Sequence, residues 1–246
     1  MKIKIAIVDS RILPEEERRL TLEGFRVITL PPYSKLCAPV ASHADMLVHR
    51  IDNELISFAD YCEKVSYVFS DLSRLVTPSG VRLSFTSDEV LPEYPRDARL
   101  NALRMGKILF CKTDTVSPYL AEAAKSKGLS LVHTAQGYPA CTTLKLSEEA
   151  AITADLGMSK VLKEHGIRVT VIENGDISLP PYDYGFIGGA GGVYGGKLYF
   201  FGNPALHRDY EKISRSAADE GLELVSLSCG ALRDLGGIIF AEGDIY

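Results

Sequence analysis

A glycine followed by an alternating apolar strand recurs five times in this chain. The copies are Gly24-Phe-Arg-Val-Ile, Gly80-Val-Arg-Leu-Ser, Gly128-Leu-Ser-Leu-Val, Gly166-Ile-Arg-Val-Thr and Gly221-Leu-Glu-Leu-Val. Each follows a stretch with helical spacing, and each such stretch follows a strand ending at a capping-type residue: Asp9, Asp60, Asp114, Asp155 or Asn203. A unit of this kind, repeating every roughly 40–55 residues, cannot bury its apolar face alone, so the copies must pack on one another.

The helical stretches carry one apolar stripe each. Val65, Val68, Phe69 and Leu72 fall at i, i+3, i+4 and i+7, as do Val116, Tyr119, Leu120 and Ala123; Met158, Val161 and Leu162 continue the pattern, with Tyr210, Ile213 and Ala217 a looser version. Ser117-Pro118 and Asn203-Pro204 place a capping side chain before a proline suited to the first helical turn. The glycine after each helix suits the left-handed conformation at a helix end. The stretch Glu15 to Leu22 is mostly charged and gives the weakest helical signal.

Before four of the units lies a further run: Ala44–His49, Ala98–Met105, Cys141–Leu146 and Phe186–Tyr194. Each is placed to form a hairpin with the strand that follows, such as Lys107–Cys111 or Lys197–Phe201, which makes the unit ββαβ. The segment Gly236–Phe240 is a strand without a hairpin partner of its own. Paired with Lys2–Val8 it completes the first unit and closes a five-bladed α/β propeller, removing exposed sheet edges. The expected organisation is a single domain over 1–246 with units near 1–35, 40–90, 94–135, 139–180 and 185–246. A doubly wound α/β sheet also alternates strands and helices, but it leaves the four extra runs and the final strand without places.

Charge narrows the partners. Lys and Arg total 27 against 32 Asp and Glu, a net charge of −5, and no basic cluster offers a nucleic-acid footprint. Five scattered cysteines without a C-x-x-C pair fit neither a disulfide framework nor a zinc ribbon, and suit a reducing cytoplasm. Met1–Asp9 reaches an acid too soon for a signal peptide and reads as a strand. No apolar run approaches the roughly 20 residues of a membrane span. The expectation is a cytoplasmic protein with no nucleic-acid or membrane partner and no cofactor.

A five-fold ββαβ ring resembles the pentein superfold, which holds the guanidino-group-modifying enzymes (arginine and agmatine deiminases, dimethylarginine dimethylaminohydrolases, amidinotransferases) and a non-enzymatic ribosome anti-association factor. Tyr94-Pro-Arg-Asp97-x3-Asn101, Gln136-Gly-Tyr138-x2-Cys141 and Tyr182-x-Tyr184-Gly-Phe-Ile-Gly-Gly189 are similar to segments of an uncharacterised bacterial family of that fold. The resemblance implies a central channel lined by the first strand of each unit. In the enzymes that channel carries carboxylates for a guanidinium, a histidine acid/base, and a cysteine nucleophile on the last inner strand. Here Asn101 stands where a carboxylate is expected, and Gln136 and Cys141 fall in the histidine's region. The last inner strand, Gly236-Gly-Ile-Ile-Phe240, has no cysteine, which argues against the usual cysteine hydrolase chemistry.

Several residues are candidates for the channel. His43-x-Asp45 opens the second unit, and with His49 it forms an H-x-D-x3-H string whose members share a face if the segment is a strand; no fourth ligand accompanies them, so no metal is expected. Asp97 and Asn101, four apart on a predicted strand, share a face, and buried polar groups there need partners. Cys141 is the only cysteine at the start of an inner strand. Gly191-x4-Gly196-Lys197 fails as a phosphate loop because a strand, not a helix, follows it; close backbone approach explains these glycines better. Tyr182 and Tyr184 are placed to cover the channel mouth, and Asp234 precedes the last strand. On the ring reading, Asp45, Asp97, Asn101, Gln136, Tyr138, Tyr184 and Asp234 bind the ligand, with Cys141 and His43 the candidates for catalysis.

Three functions follow for testing. The first is non-covalent binding of a small polar or cationic ligand, favoured by the excess of acids. The second is amidine or amide hydrolysis or transfer, using Cys141 or an activated water with His43 or Asp97 assisting. The third is a scaffold that docks a macromolecule.

Overall fold

The repeat is realised as separate three-stranded sheets in the computed structural model, which describes residues 2–77 and 80–244. The first sheet holds β1 (Lys2–Asp9) and β2 (Phe25–Leu30), joined by α1 (Pro14–Leu22). The second holds β3 (Val48–Ile51), entered through the single turn α2 (Ala44–Leu47), then β4 (Glu54–Phe58) and, after α3 (Ala59–Lys64) and α4 (Ser66–Val76), β5 (Arg82–Thr86). The third comprises β6 (Leu103–Met105), β7 (Ile108–Cys111), α5 (Pro118–Ser126) and β8 (Ser130–His133). The fourth begins with the turn α6 (Pro139–Thr142) and contains β9 (Thr143–Lys145), β10 (Ala150–Thr153), α7 (Leu156–Glu164) and β11 (Arg168–Val171). After the short β12 (Ile177–Ser178), the fifth contains β13 (Gly191–Tyr194), β14 (Lys197–Phe200), α8 (Tyr210–Asp219) and β15 (Glu223–Ser226). Finally β16 (Leu232–Arg233) pairs with β12, and β17 (Ile239–Asp244) returns to the first sheet.

Within sheets two to five, an antiparallel hairpin is followed by a helical crossover to a parallel third strand, because a parallel pair cannot be joined by a tight turn. In the first sheet β17 takes the hairpin strand's place: Ala6 lies opposite Phe240 and Ile7 opposite Ile239, antiparallel. The start of β1 at Lys2 leaves Met1 outside the described residues. No sheet among the described residues closes on itself. The glycines that end the helices all have positive φ, as at Gly166 (+80°), where a side chain would be strained.

Apolar packing links the sheets to their neighbours. Ala6, Val8 and Phe25 of the first sheet meet Tyr199, Val225 and Phe240 in one buried cluster, with Phe25 and Phe240 ring centroids 5.0 Å apart. Leu103, Met105 and Phe110 of the third sheet join Ala151, Met158 and Leu162 of the fourth unit. Further clusters join the first three units and the fourth to the fifth. Most of the predicted stripe positions are buried, Val68, Phe69, Leu72, Leu120, Met158, Leu162, Ile213 and Ala217 among them, whereas Tyr119 is 39% exposed and Ala123, Val161 and Tyr210 are only partly covered. No helix among the described residues is long and apolar enough to cross a membrane.

The structure corrects the capping scheme. Asp155 does cap α7, accepting from Met158 N at 2.8 Å, and Ser117 caps α5 through Leu120 N. Asn203 caps a short 3-10 turn over Pro204–Leu206 instead of α8. Asp9 instead accepts the backbone and guanidinium of Arg11, Asp60 lies inside α3 and accepts from Tyr33, and Asp114 faces Lys112. The charged helix α1 is anchored by one of its own acids. Glu16, fully buried, accepts from Leu13 N and Ser228 Oγ and pairs with Arg233.

A second correction bears directly on the site. The runs expected to be continuous inner strands begin with a turn of helix: Ala44–Leu47, Pro139–Thr142 and the 3-10 segment Gly188–Ala190. Asp97 lies in turns ahead of β6, and Asn101 just before it. His43, Asp45 and His49 therefore share no strand face, and neither do Asp97 and Asn101. The cause is local: Pro139 occupies a first helical position, and Asn101 Oδ1 accepts from Ala140 N at 2.9 Å, stabilising the turn of the neighbouring unit.

Candidate functional site

These entry turns point polar side chains at one another from successive units. Cys141 Sγ donates to Asp45 Oδ2 at 2.7 Å. Asn101 Nδ2 donates to Cys141 Sγ at 3.2 Å and reaches Met46 Sδ at 3.5 Å. Asp234 is fixed by backbone donors, Phe186 N at 2.8 Å and Gly236 N at 3.1 Å. Its Oδ1 stands 3.8 Å from His43 Nδ1, too far for a hydrogen bond. Both ring nitrogens of His43, together with Asp45 Oδ1, are buried without a hydrogen-bond partner.

Glycine supplies the room for this convergence. A Cβ on Gly236 would strike His43 and stand 2.7 Å from Asp45 Oδ1; one on Gly189 would collide with Asp234, and one on Gly188 with the Ala140 carbonyl. The glycine run thus serves close backbone approach, and it leads into a β13–β14 hairpin, as the rejection of a phosphate loop required.

His43, Cys141 and Asp234 line a cavity of about 450 Å³ with Tyr94, Tyr138, Tyr182 and Tyr184. Tyr182 and Tyr94 are about half exposed, at 54% and 52%, and Tyr184 is 38% exposed. Asp97, buried, accepts from Tyr138 Oη at 2.6 Å and leaves its other oxygen unpartnered.

Burial dominates the electrostatics. Desolvation lifts Asp45 to about 8, with the nearby Asp234 adding to the rise, and lifts Asp234 to about 6. The same cause, joined by the charges of Asp45 and Asp234, holds the Cys141 thiol well above its ordinary range. Desolvation and the Arg11 charge push His43 down to about 3. Asp97 is raised by burial, with the Tyr138 hydrogen bond opposing. At neutral pH the resting site is therefore a neutral imidazole beside a protonated thiol and a largely protonated Asp45, with Asp234 the carboxylate that stays mostly ionised and the Asp45–Cys141 pair titrating as a unit.

Of the residues singled out from sequence, His43, Asp45, Asn101, Cys141 and Asp234 come together. Tyr138 and Tyr184 form walls, and Asp97 stands behind Tyr138. Gln136 does not join them: its Nε2 donates to Asp155 Oδ2 at 2.8 Å and its Oε1 accepts from Tyr138 N, so it braces the loop. His49 also lies apart, with Nδ1 3.1 Å from the Leu100 carbonyl. The possible metal ligands are consequently a different set from the sequence string: His43, Asp45 and Cys141 offer atoms all within 4.8 Å of one another, donors that suit a zinc-like ion. Tyr94, Cys37 and Met46 line the cavity and were not anticipated; Tyr94 opens a motif of which only Asp97 and Asn101 drew notice. The expectation that cysteine chemistry is missing rested on the last strand, and a buried Cys141 in contact with a carboxylate removes that ground.

Solved structures share this arrangement of elements. The amidinotransferase SxtG from Microseira wollei, of a saxitoxin biosynthetic pathway, is 12% identical, with a TM-score of 0.55 over 93% of this chain and 89% of its own. A dimethylarginine dimethylaminohydrolase from Pseudomonas aeruginosa is 11% identical, with a TM-score of 0.53 over 92% and 91%. The inosamine-phosphate amidinotransferase StrB1 from Streptomyces griseus is 17% identical, with a TM-score of 0.55 over 92% and 78%. At these identities the likeness establishes the fold, a mixed α/β fold of the pentein type. No curated protein matches in sequence. Residues 7–239 do match one family model, and the chain belongs to that family, the family of unknown function DUF6873.

Proposed function

We propose that the tyrosine-walled cavity takes a small planar cation of the amidine or guanidine class, and that Cys141 is the nucleophile toward its central carbon. The observation that carries this reading is the 2.7 Å contact between Cys141 Sγ and Asp45 Oδ2 beside an unpartnered His43. Aromatic faces attract a cation, and Asp234, joined by Asp45 and Asp97 as the cation draws them into their ionised forms, supplies negative charge around it. The arriving charge favours the ionised forms of thiol and carboxylate that burial suppresses, so the ligand itself activates the site. The bound cation drives the Asp45 proton out to solvent, and the carboxylate so freed takes the thiol proton at Oδ2 as the S–C bond forms and the C–N π pair moves onto nitrogen. Expulsion of the amine then requires a proton, and His43 faces the same cavity with both nitrogens uncommitted for that transfer or for activating water. We further infer that the five sheets are blades of a closed ring around this convergence; the β1–β17 pairing and the apolar clusters between units support it.

The test compares two alkylating agents of similar size, 2-chloroacetamidine and neutral chloroacetamide. The cationic reagent is expected to modify Cys141 at least about tenfold faster, the value of one charge-assisted hydrogen bond, and added guanidinium compounds should protect the thiol. Equal rates with both reagents, or no reaction at Cys141, would overturn the nucleophile reading and leave non-covalent binding to be measured by thermal shift.

A further inference from the structure

A second cavity, of about 570 Å³, runs along the inner strands β3, β6, β9, β13 and β17, each of which contributes to its wall, and reaches the far ends of β3, β6 and β9. Asp45 stands on the partition: Oδ2 engages Cys141, while the residue also lines the far cavity. The two cavities otherwise differ in chemistry. Tyrosines wall the first, whereas three neighbouring inner strands bring a cation each to the second: Arg50 from β3, Arg104 from β6 and Lys145 from β9. Arg50 and Arg104 hold equivalent positions, one residue before the strand end from which each hairpin turns back.

Two of the three acids of this wall, Asp52 and Glu148, are engaged by its cations; the third, Asp45, holds Cys141 through Oδ2 and leaves Oδ1 unpartnered. Arg104 pairs with Asp52 and Lys145 with Glu148, while the Arg50 guanidinium donates to the backbone carbonyls of Asp52 and Phe240. Deeper in, two side chains more than nine-tenths buried have unpartnered polar atoms: Thr143 Oγ1, at 2% exposure, and His49 Nε2, at 8%. Both residues line the cavity. A hydroxyl without a partner inside a protein costs free energy unless a ligand or water meets it. Guanidinium groups on the rim and a hydroxyl donor below them match the fork geometry and lone pairs of an oxyanion.

We propose that this far cavity binds a small oxyanion, a phosphate or carboxylate group, through Arg50, Arg104 and the Thr143 hydroxyl, as a site separate from the Cys141 cavity. The proposal goes beyond the reading of Cys141 and does not depend on it. Thr143→Val keeps the side chain's shape and removes a hydroxyl that makes no hydrogen bond within the chain, so the variant is expected to fold; Arg50→Gln changes an exposed residue.

The experiment titrates inorganic phosphate and, separately, acetate into the full chain at ionic strength held constant with sodium chloride, following the thermal midpoint and the heat of binding. At least one anion is expected to stabilise the wild type; phosphate alone marks a phosphate site, and acetate alone a carboxylate site. Arg50→Gln should weaken binding about tenfold or more and Thr143→Val several-fold, while alkylation of Cys141 leaves anion affinity unchanged. The proposal is overturned by no response to either anion up to about 50 mM, by equal responses in the wild type and both variants, or by loss of anion binding on alkylation of Cys141, which would place the anion in the tyrosine cavity.

Discussion

Replacing Asp45 by Asn should lower the pH at which the Cys141 thiol ionises by about three units. In the wild type the thiolate forms beside a carboxylate whose Oδ2 lies 2.7 Å from Sγ. Burial disfavours the charged form of each partner. Two unit charges about 4 Å apart repel by about 4 kcal/mol at an effective dielectric near 20, and each pH unit corresponds to about 1.4 kcal/mol. Asparagine removes the repulsion and can offer an N–H to the thiolate. The assay is the pH dependence of Cys141 alkylation by neutral chloroacetamide, checked by thiolate ultraviolet absorbance. Below the wild-type transition the variant reacts faster with the neutral reagent, and its preference for chloroacetamidine shrinks by about tenfold because one carboxylate is gone. A variant transition at the same pH as the wild type, or higher, refutes the coupling inferred between Asp45 and Cys141.

Asp97→Asn should weaken a guanidinium ligand by about 1.5–3 kcal/mol, the range for a hydrogen bond to a charged group; unchanged affinity by calorimetry counts against a role for Asp97 behind Tyr138. Gly236→Ala should cost about 2–5 kcal/mol in urea unfolding, combining a left-handed φ of +69° with overlap onto His43 and Asp45; a loss under about 0.5 kcal/mol would contradict the packing. Glu16→Ala should destabilise by about 3 kcal/mol, since it strands Arg233 and Ser228, and an unchanged urea midpoint would speak against that anchor. His43 is held near 3 against an unfolded value near 6.5, so the stability that its burial as a neutral ring permits is complete above pH 6.5 and drains as pH falls from there toward 3. His43→Gln should therefore show a shallower acid loss of stability than the wild type over that window, and parallel curves would rule the linkage out.

The parts of this molecule that rest on short-range rules were legible in the residues. A glycine after a helix, such as Gly128 or Gly221, reports a local backbone conformation, and the alternation after it reports a strand; both signals need only neighbours in sequence. The convergence of His43, Asp45, Asn101, Cys141 and Asp234 followed from the repeat, since equivalent positions of repeated units meet. The helical turns at Ala44–Leu47 and Pro139–Thr142 were not legible, because four residues are too few to display a 3.6-residue period. Gln136 was misplaced for a related reason: its choice of Asp155 and Tyr138 N as partners is a tertiary contact with no trace in spacing. The far cavity escaped notice because Arg50, Arg104 and Lys145 each look like ordinary exposed strand ends until their strands stand side by side.

The pairing of β1 with β17 joins segments from opposite ends of the sequence, which has a consequence for how the molecule forms. Local helix–strand contacts within each unit can assemble early, but the first sheet lacks its third strand until the whole intervening chain has been made and brought round. Closing so long a loop is entropically costly and slow. Until then β1 presents an unpaired edge, open to pairing with another chain. Residues 239–244 thus act as a clasp that also withholds a sticky surface. Their removal should leave the middle units substantially folded while turning the molecule toward strand-exchanged dimers or aggregates.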